Sequence, residues 1–443
     1  MALRAAVIGG GISGLASAWR LAGAGHHVTL FEAEPGLGGL ATTFPWRDTH
    51  LERFYHCILP SDLALVRIIH ELGLSADLLW RPTGMGFMHR GRIHPLNTPM
   101  DLLGFAPLPI TDRLRLGLLG LRARAECADP RLDDVAIEDW LTARVGARAF
   151  RTLWEPLLVA KLGERYRGVP ALWLASRMAR EKNTEREVKG CLRRGYRSLI
   201  DAFESALVRR GVTLRLGARV EAIAREGEAM ALRLAGGATE SFDLVVATSP
   251  LGAFQQMTRG LDLDARWSGL ALDYQGVVCG VFVLERPLSP WYWMPVVESG
   301  ATCQGVVEMS NLTPPERTHG MHVAYLVNYA HRSSDLFALD EDRLLARYRA
   351  DLERLFPEAA RTIVEARAFK APFVEPLWTL GYSRTSPPAS VIPGRLYLAS
   401  TAQVYPRVNS WNSCCEVVED MMPRLLAEAG ARDGAGIALG AAS

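Results

Sequence analysis

The chain has 443 residues, 49% hydrophobic and 22% charged, with a formal net charge of +2. One hydrophobic core rarely serves more than about 250–300 residues, so two lobes are expected, and the composition argues against long-range disorder. So small a net charge supplies no general field for nucleic acid or an anionic membrane, which leaves a small molecule as the expected partner.

Ala5-Ala6-Val7-Ile8 is an apolar run closed by Gly9, Gly10 and Gly11, the pattern of a buried parallel strand entering a tight turn. A strand that begins so early leaves no room for an export or mitochondrial leader, and none is expected. No window reaches the ~18 uninterrupted apolar residues of a membrane span. The seven cysteines (Cys57, Cys127, Cys191, Cys279, Cys303, Cys414 and Cys415) form no CxxC pair and are read as reduced thiols of a cytoplasmic protein. From Ile12 to Ala24 the residues Leu15, Ala18, Trp19 and Leu21 recur at helical spacing, and His27 to Glu32 is a second strand ending in a carboxylate.

That βαβ opening carries Gly9-x-Gly11-x-x-Gly14, with Glu32 lying 18 residues past Gly14. Gly9 permits the turn, Gly11 lets a pyrophosphate approach the helix N-terminus, and Gly14 lets helix and sheet pack. Glu32 can accept from ribose hydroxyls, with Ile12, Ser13 and Ala33 beside the same group. The motif alone is weak, but the strand before it, the helix after it and the placed carboxylate make an ADP-ribosyl site the expectation. No His, Cys or carboxylate grouping has the spacing of a metal site.

Beyond the opening, residues 81–186 change character. Asp112 to Arg124, Ala136 to Val145 and Ala147 to Leu162 look helical, which predicts a helical insertion. Gly195 to Gly211 is expected to be a helix, and Val212–Leu216, Ala218–Arg225 and Asp243–Thr248 strands. Gly276–Leu284 and His322–Tyr329 suggest a second sheet, and Arg343–Phe356 an amphipathic helix. Gly394–Ala399 is a last buried strand, a helix follows from about Ser413 to Glu428, and the Gly- and Ala-rich 431–443 is expected to be a flexible tail. The predicted fold is α/β, with a Rossmann-like dinucleotide-binding domain built from the discontinuous segments 1–80, 187–252 and 388–430. The remainder, 253–387, would be a second, α+β substrate domain with a mixed sheet.

The second glycine cluster, Gly36-Leu37-Gly38-Gly39-Leu40-Ala41-Thr42, lies past the minimal dinucleotide fingerprint. With it the chain resembles the flavoprotein superfamily of amine oxidases, protoporphyrinogen oxidase, phytoene-type desaturases and UDP-galactopyranose mutase. The resemblance implies FAD as cofactor, with Gly38 and Gly39 against the pyrophosphate and flavin. Leu40 stands where those proteins usually carry Arg. By the same resemblance Val220 contacts adenine, and Ala247 and Thr248 border the cofactor. Ser400 and Thr401 stand in place of the usual Gly-Asp pair, and Tyr405, Asn409, Trp411 and Asn412 lie near the flavin ring. The stretches Glu52–His56, Trp154–Leu158 and Tyr397–Pro406 most resemble a bacterial protoporphyrinogen-oxidase-like group.

Candidate catalytic residues are Tyr55, His56, Lys161 and Tyr405. A histidine that merely packs a loop is as common as a site histidine, and a lysine at the end of a helix is more often on the surface. Trp291-Tyr292-Trp293 suits a planar substrate wall or plain loop packing equally well. The leading functional expectation is an FAD-dependent oxidase, dehydrogenase or desaturase that takes hydride from an apolar or ring-containing molecule onto flavin N5. The alternatives are a redox-neutral mutase acting on a nucleotide sugar, with Arg92, Arg165 and Tyr166 around a diphosphate, and a non-catalytic FAD-binding protein. Met100 to Leu119, with Arg113, Arg115 and Arg122 nearby, either shelters a lipid-like substrate, touches the inner membrane face as a peripheral contact, or forms the insertion's own core.

Overall fold

The computed structural model describes residues 2–440 except 181–186, 265, 266, 268 and 299. Arg186, the expected end of the insertion, and residues 441–443 of the expected tail lie outside the described residues.

The apolar opening strand β1 (Arg4–Ile8) is buried from Ala5 onward and sits at the centre of a six-stranded sheet. It pairs in parallel with β2 (His27–Phe31) on one side and with Leu244–Ala247 on the other. The connecting helix α1 (Ile12–Gly23) buries Leu15, Ala18 and Leu21 against the sheet. The sheet continues outward in parallel to Thr213–Arg215 at one end. At the other it passes through Leu396–Leu398 to the antiparallel edge strand Ser390–Ile392. Strands from the start, middle and end of the chain thus alternate across one sheet, the discontinuous lobe that the sequence predicts. A three-stranded antiparallel sheet (Val220–Glu226, Ala229–Leu234, Thr239–Phe242) closes it on one side.

The chain leaves this lobe and returns through a ribbon of Leu78–Pro82 against Val188–Leu192. Between them lie the helices Pro99–Gly104, Ile110–Glu126, Ile137–Val145, Glu155–Leu162 and Ala171–Arg180. They pack around Trp140, Phe150, Tyr166 and Trp173. One part of residues 81–186 is not helical: Gly86–His89 and Arg92–Pro95 form a hairpin that joins the edge of the second sheet. That seven-stranded sheet is built on the long strand Asp273–Leu284, flanked by Ile363–Leu377 and His322–His331. Helix Glu341–Leu355 covers it, with Tyr348 pressed so close to Gly280 that a Cβ there would meet the ring at 2.7 Å. The final helix begins at Trp411 and continues to Gly440, past the expected end at Glu428.

Candidate functional site

The turn after β1 folds as the glycine spacing requires. Gly9 has φ +110°, and a Cβ there would meet Thr248 Oγ1 at 2.5 Å. Gly14 packs so tightly that its Cβ would lie 1.8 Å from the Gly9 carbonyl oxygen. Gly11 stands differently: a Cβ there would have as its nearest neighbour the Gly39 Cα at 3.9 Å, so the space in front of it is open. Gly38 and Gly39 have φ +121° and +56°, and the Gly38 amide donates to the Gly10 carbonyl at 2.9 Å. The two glycine clusters therefore lie against each other and leave the N-terminus of α1 free of side chains beside Gly11, an arrangement that suits a diphosphate. A buried hydroxyl without a protein partner, Ser249 Oγ, follows Thr248 on the loop beneath it.

Glu32 closes the far side. Its Oε2 accepts from the Gly10 amide at 2.5 Å and its Oε1 from the Glu34 amide at 2.8 Å, so the carboxylate is held in place with lone pairs to spare for ribose hydroxyls. Ile12 and Ser13 are buried at the start of α1, and Ala33 follows the carboxylate. Val220 and Ala247 are buried in the strands beside Ile8. Thr248 Oγ1 donates to the Ile8 carbonyl at 2.9 Å, locking the second strand-end loop to the first. These residues could hold a dinucleotide, with backbone glycines for its diphosphate and a carboxylate for its ribose.

An aromatic group packs in the same lobe. Gly38 lies against Ile200 of helix Arg197–Arg209, and Tyr196, at the start of that helix, packs on His56 at 5.5 Å between ring centroids. Trp411, first residue of the final helix, completes the group at 4.8 Å from His56 and 4.9 Å from Tyr196. His56 Nδ1 lies 2.9 Å from the Phe54 carbonyl, which makes Nδ1 the protonated nitrogen and leaves Nε2 with its lone pair. Burial holds the imidazole below its usual pKa of 6.5, so the neutral ring is the resident form.

Leu40 packs in the same cluster as Tyr55 and Tyr329. The two tyrosine hydroxyls are hydrogen-bonded at 2.9 Å. Burial pushes Tyr55 well above the ordinary phenol value and raises Tyr329 to about 12, so both hydroxyls stay protonated near neutral pH. Lys161 Nζ lies 3.8 Å over the Tyr329 ring and forms an ion pair of 2.9 Å with Glu375. Only 2% of the Glu375 side chain is exposed, and its other oxygen has no partner. Asn409 Nδ2 donates to the Val374 carbonyl at 2.5 Å, binding the segment before the final helix to the strand that carries Glu375. A solvent-open cleft of about 380 Å³, lined by Leu162, Gly163, Gln275 and His331, reaches Tyr329.

The structure thus gathers the expected residues into two groups, His56 with Trp411 and Tyr55 with Lys161, and ties Asn409 to the strand that carries Glu375. It engages other expected residues elsewhere. The Tyr405 hydroxyl donates to Asp133 at 2.5 Å and packs with Trp378 and Tyr382 in the core of the insertion. Asn412 accepts from the Leu65 amide and donates to Glu416, pinning the final helix to helix Leu63–Glu71. Ser400 Oγ caps the short turn Thr401–Gln403, and the Tyr274 hydroxyl bears on both Ser400 and Thr401. Arg92, Arg165 and Tyr166 are not gathered: Arg92 lies on the edge hairpin, Arg165 is paired with Asp273, and Tyr166 donates to Glu155. Of the aromatic triplet, Tyr292 is core, and Trp291 packs over Gly84 and Gly86. Tyr329, Glu375 and Tyr196 were not singled out from the sequence. Tyr329 lay in an expected strand, Tyr196 beside an expected helix start, and nothing local marks Glu375. Among the described residues no cluster of three or more His, Cys, Asp or Glu side chains is arranged as a metal site, and no helix is long and apolar enough to cross a membrane.

A dinucleotide cradle on a discontinuous parallel sheet, faced by a second, mixed sheet, defines a two-lobed flavoprotein architecture. The same fold is seen in an oxidoreductase from Methanosarcina mazei, with a TM-score of 0.73, 18% identity and coverage of 95% of this chain and 100% of that one. The chain belongs to the flavin containing amine oxidoreductase family, whose model matches residues 12–407. Curated relatives include the zeta-carotene desaturase of Zea mays, 28% identical over 182 residues, a match that covers 36% of this chain and 32% of that protein. Another is the coproporphyrinogen III oxidase of Staphylococcus aureus, 23% identical over 289 residues, covering 56% and 61%. The chain therefore spans about a third of the length of the desaturase it matches.

Proposed function

We propose that the protein binds FAD and oxidises a C–H bond of an apolar or ring-containing small molecule. The observation that carries the proposal is the close approach of Gly11 and Gly39 at the N-terminus of α1, with no side chain within 4 Å of a Cβ placed on Gly11, in a lobe that also holds the aromatic group of His56, Tyr196 and Trp411. A bound flavin would supply a hydride acceptor. The chain's own residues bind, orient and manage the proton. His56, neutral and with Nε2 unprotonated, can accept the proton that leaves with the hydride, and Tyr196 and Trp411 hold its ring in place. The Tyr55 and Tyr329 hydroxyls stay protonated and orient a substrate, and the Lys161–Glu375 pair places one positive charge beside them. The desaturase and oxidase names of the relatives support an oxidation, and the scattered Arg92, Arg165 and Tyr166 give a diphosphate-sugar substrate no support.

The test is the visible spectrum of the purified protein, followed by anaerobic mixing with polyprenoid, amine, porphyrinogen and nucleotide-sugar compounds. A flavin band bleached by a substrate of the first three classes supports the reading. Turnover of a nucleotide sugar only after prior reduction overturns it. His56→Gln is expected to keep the flavin and lower the rate of bleaching by about 10²-fold or more. In the wild type the acid limb of kcat/KM should fall below 6.5, the direction set by burial of the imidazole.

A further inference from the structure

Helix Ile110–Glu126 is apolar on two opposite sides. Leu116, Leu119 and Ala123 face the insertion's core. Ile110, Leu114, Leu118 and Leu121 are 52%, 59%, 46% and 77% exposed. At about 100° per residue these four fall within an arc of roughly 80°, centred about half a turn from the buried face. A helix that needed only to cover its core would be polar on that side. The stripe extends onto the preceding helix, Pro99–Gly104, where Met100 is 74% and Leu103 38% exposed. Arg113 donates to the Leu103 and Leu108 carbonyls, holding that apolar turn beside the stripe.

The exposed charges flanking the stripe are mainly positive. Arg115 and Arg122 lie along one flank by register and Arg113 along the other. The acidic residues from Pro99 to the helix end are Asp101, Asp112 and Glu126. Asp101 closes the capping box of its helix with Thr98, Asp112 is buried and paired with Arg148 and, at 3.8 Å, with Arg115, and Glu126 is paired with Arg144 and accepts from Trp140. An apolar stripe edged by arginines matches a surface with a negative outer layer over hydrocarbon. It matches a second copy of the same face poorly, since two-fold contact would set arginine flank against arginine flank.

We propose that this face of the insertion docks the protein on a bilayer rich in anionic lipid, with the stripe in the interface and the arginines among the head groups. The test is co-sedimentation of the full chain with vesicles of equal parts phosphatidylglycerol and phosphatidylcholine, compared with phosphatidylcholine alone. Partition into the anionic vesicles should be on the order of ten-fold greater and fall as salt rises. Leu114→Asp with Leu121→Asp should reduce it by about ten-fold or more. Arg115→Glu with Arg122→Glu should remove the preference for anionic lipid while leaving the apolar stripe intact. Unchanged circular dichroism in either variant shows that the loss is not unfolding. The proposal falls if the wild type ignores anionic vesicles, if both variants bind them as the wild type does, or if light scattering shows that the leucine variant dissociates an oligomer while vesicle binding is unaffected.

Discussion

Gly11 and Gly14 sit three residues apart on the same turn and do different things. A methyl at Gly14 would collide with the Gly9 carbonyl oxygen at 1.8 Å, so the helix could not approach the strand. A methyl at Gly11 meets nothing closer than 3.9 Å and would stand in the cradle. Gly11→Ala is therefore expected to fold with a near-wild-type melting temperature but lose flavin on gel filtration, whereas Gly14→Ala should be recovered poorly or melt well below the wild type. A Gly11→Ala protein that stays fully yellow would place the diphosphate elsewhere. The roles of these glycines were legible in the sequence because spacing within one turn is a local property. The pairing of Lys161 with Glu375 was not, because the partners lie more than two hundred residues apart and neither stands in a motif.

At the scale of elements, periodicity located most helices and strands, and the exceptions have local causes. Ala147 to Leu162 reads as one helix, yet the structure inserts a π-turn at Phe150–Trp154 before Glu155–Leu162. Pro156 lacks the N–H that would close the preceding turn, and its ring crowds the carbonyl of residue 152, so the backbone widens there. The hairpin Gly86–His89 and Arg92–Pro95 was hidden among prolines and owes its place to edge pairing with Trp293–Val297. The final helix is fixed to the sheet by Glu428, which accepts from Tyr397, Ser390 and Arg424 at 2.5, 2.8 and 2.6 Å. Burial opposes the charge, but the three donors outweigh it and bring the carboxyl to about 2, from an ordinary 4.5. A lowered carboxylate pKa stabilises the fold above the ordinary value, and that stabilisation is lost as pH falls through the folded one. The melting-temperature gap between wild type and Glu428→Gln should therefore be full at pH 6 and narrow steadily from about pH 4.5 toward 2.

Across the whole molecule, the two lobes are joined by a buried ion pair. Glu52, on the hairpin of Thr43–Trp46 and Thr49–Glu52 that packs between the two sheets, receives Arg317 at 2.7 and 2.8 Å, and the exposures are 1% and 5%. The same carboxylate accepts from the Tyr196 amide, and the Tyr325 hydroxyl donates to the Glu52 carbonyl. Removing one partner strands the other charge in the interior. Arg317→Met should thus cost about 3–5 kcal/mol in urea unfolding, and Glu52→Gln with Arg317→Met should recover part of it. A cost below about 1 kcal/mol for the single variant would mean that water reaches the pair. Because Tyr196 also packs on His56, the single variant should in addition slow substrate-driven bleaching of the flavin.

What the sequence determined by itself is everything whose cause is confined to one stretch of chain. The opening βαβ unit, its glycine turn and its acidic strand end follow from sterics within some thirty residues. The alternation of lobes follows from where apolar runs resume. The tertiary structure alone decided which side chains meet: Tyr55 with Tyr329, His56 with Tyr196 and Trp411, Lys161 with Glu375, and Tyr405 with Asp133 rather than the cofactor cleft. Those pairings depend on how separate elements pack, and packing is set by the summed burial of many residues, which no single motif encodes. The outward leucines of Ile110–Glu126 make the same point. Their spacing shows that they share a face, but only the packed insertion reveals that this face is turned to solvent.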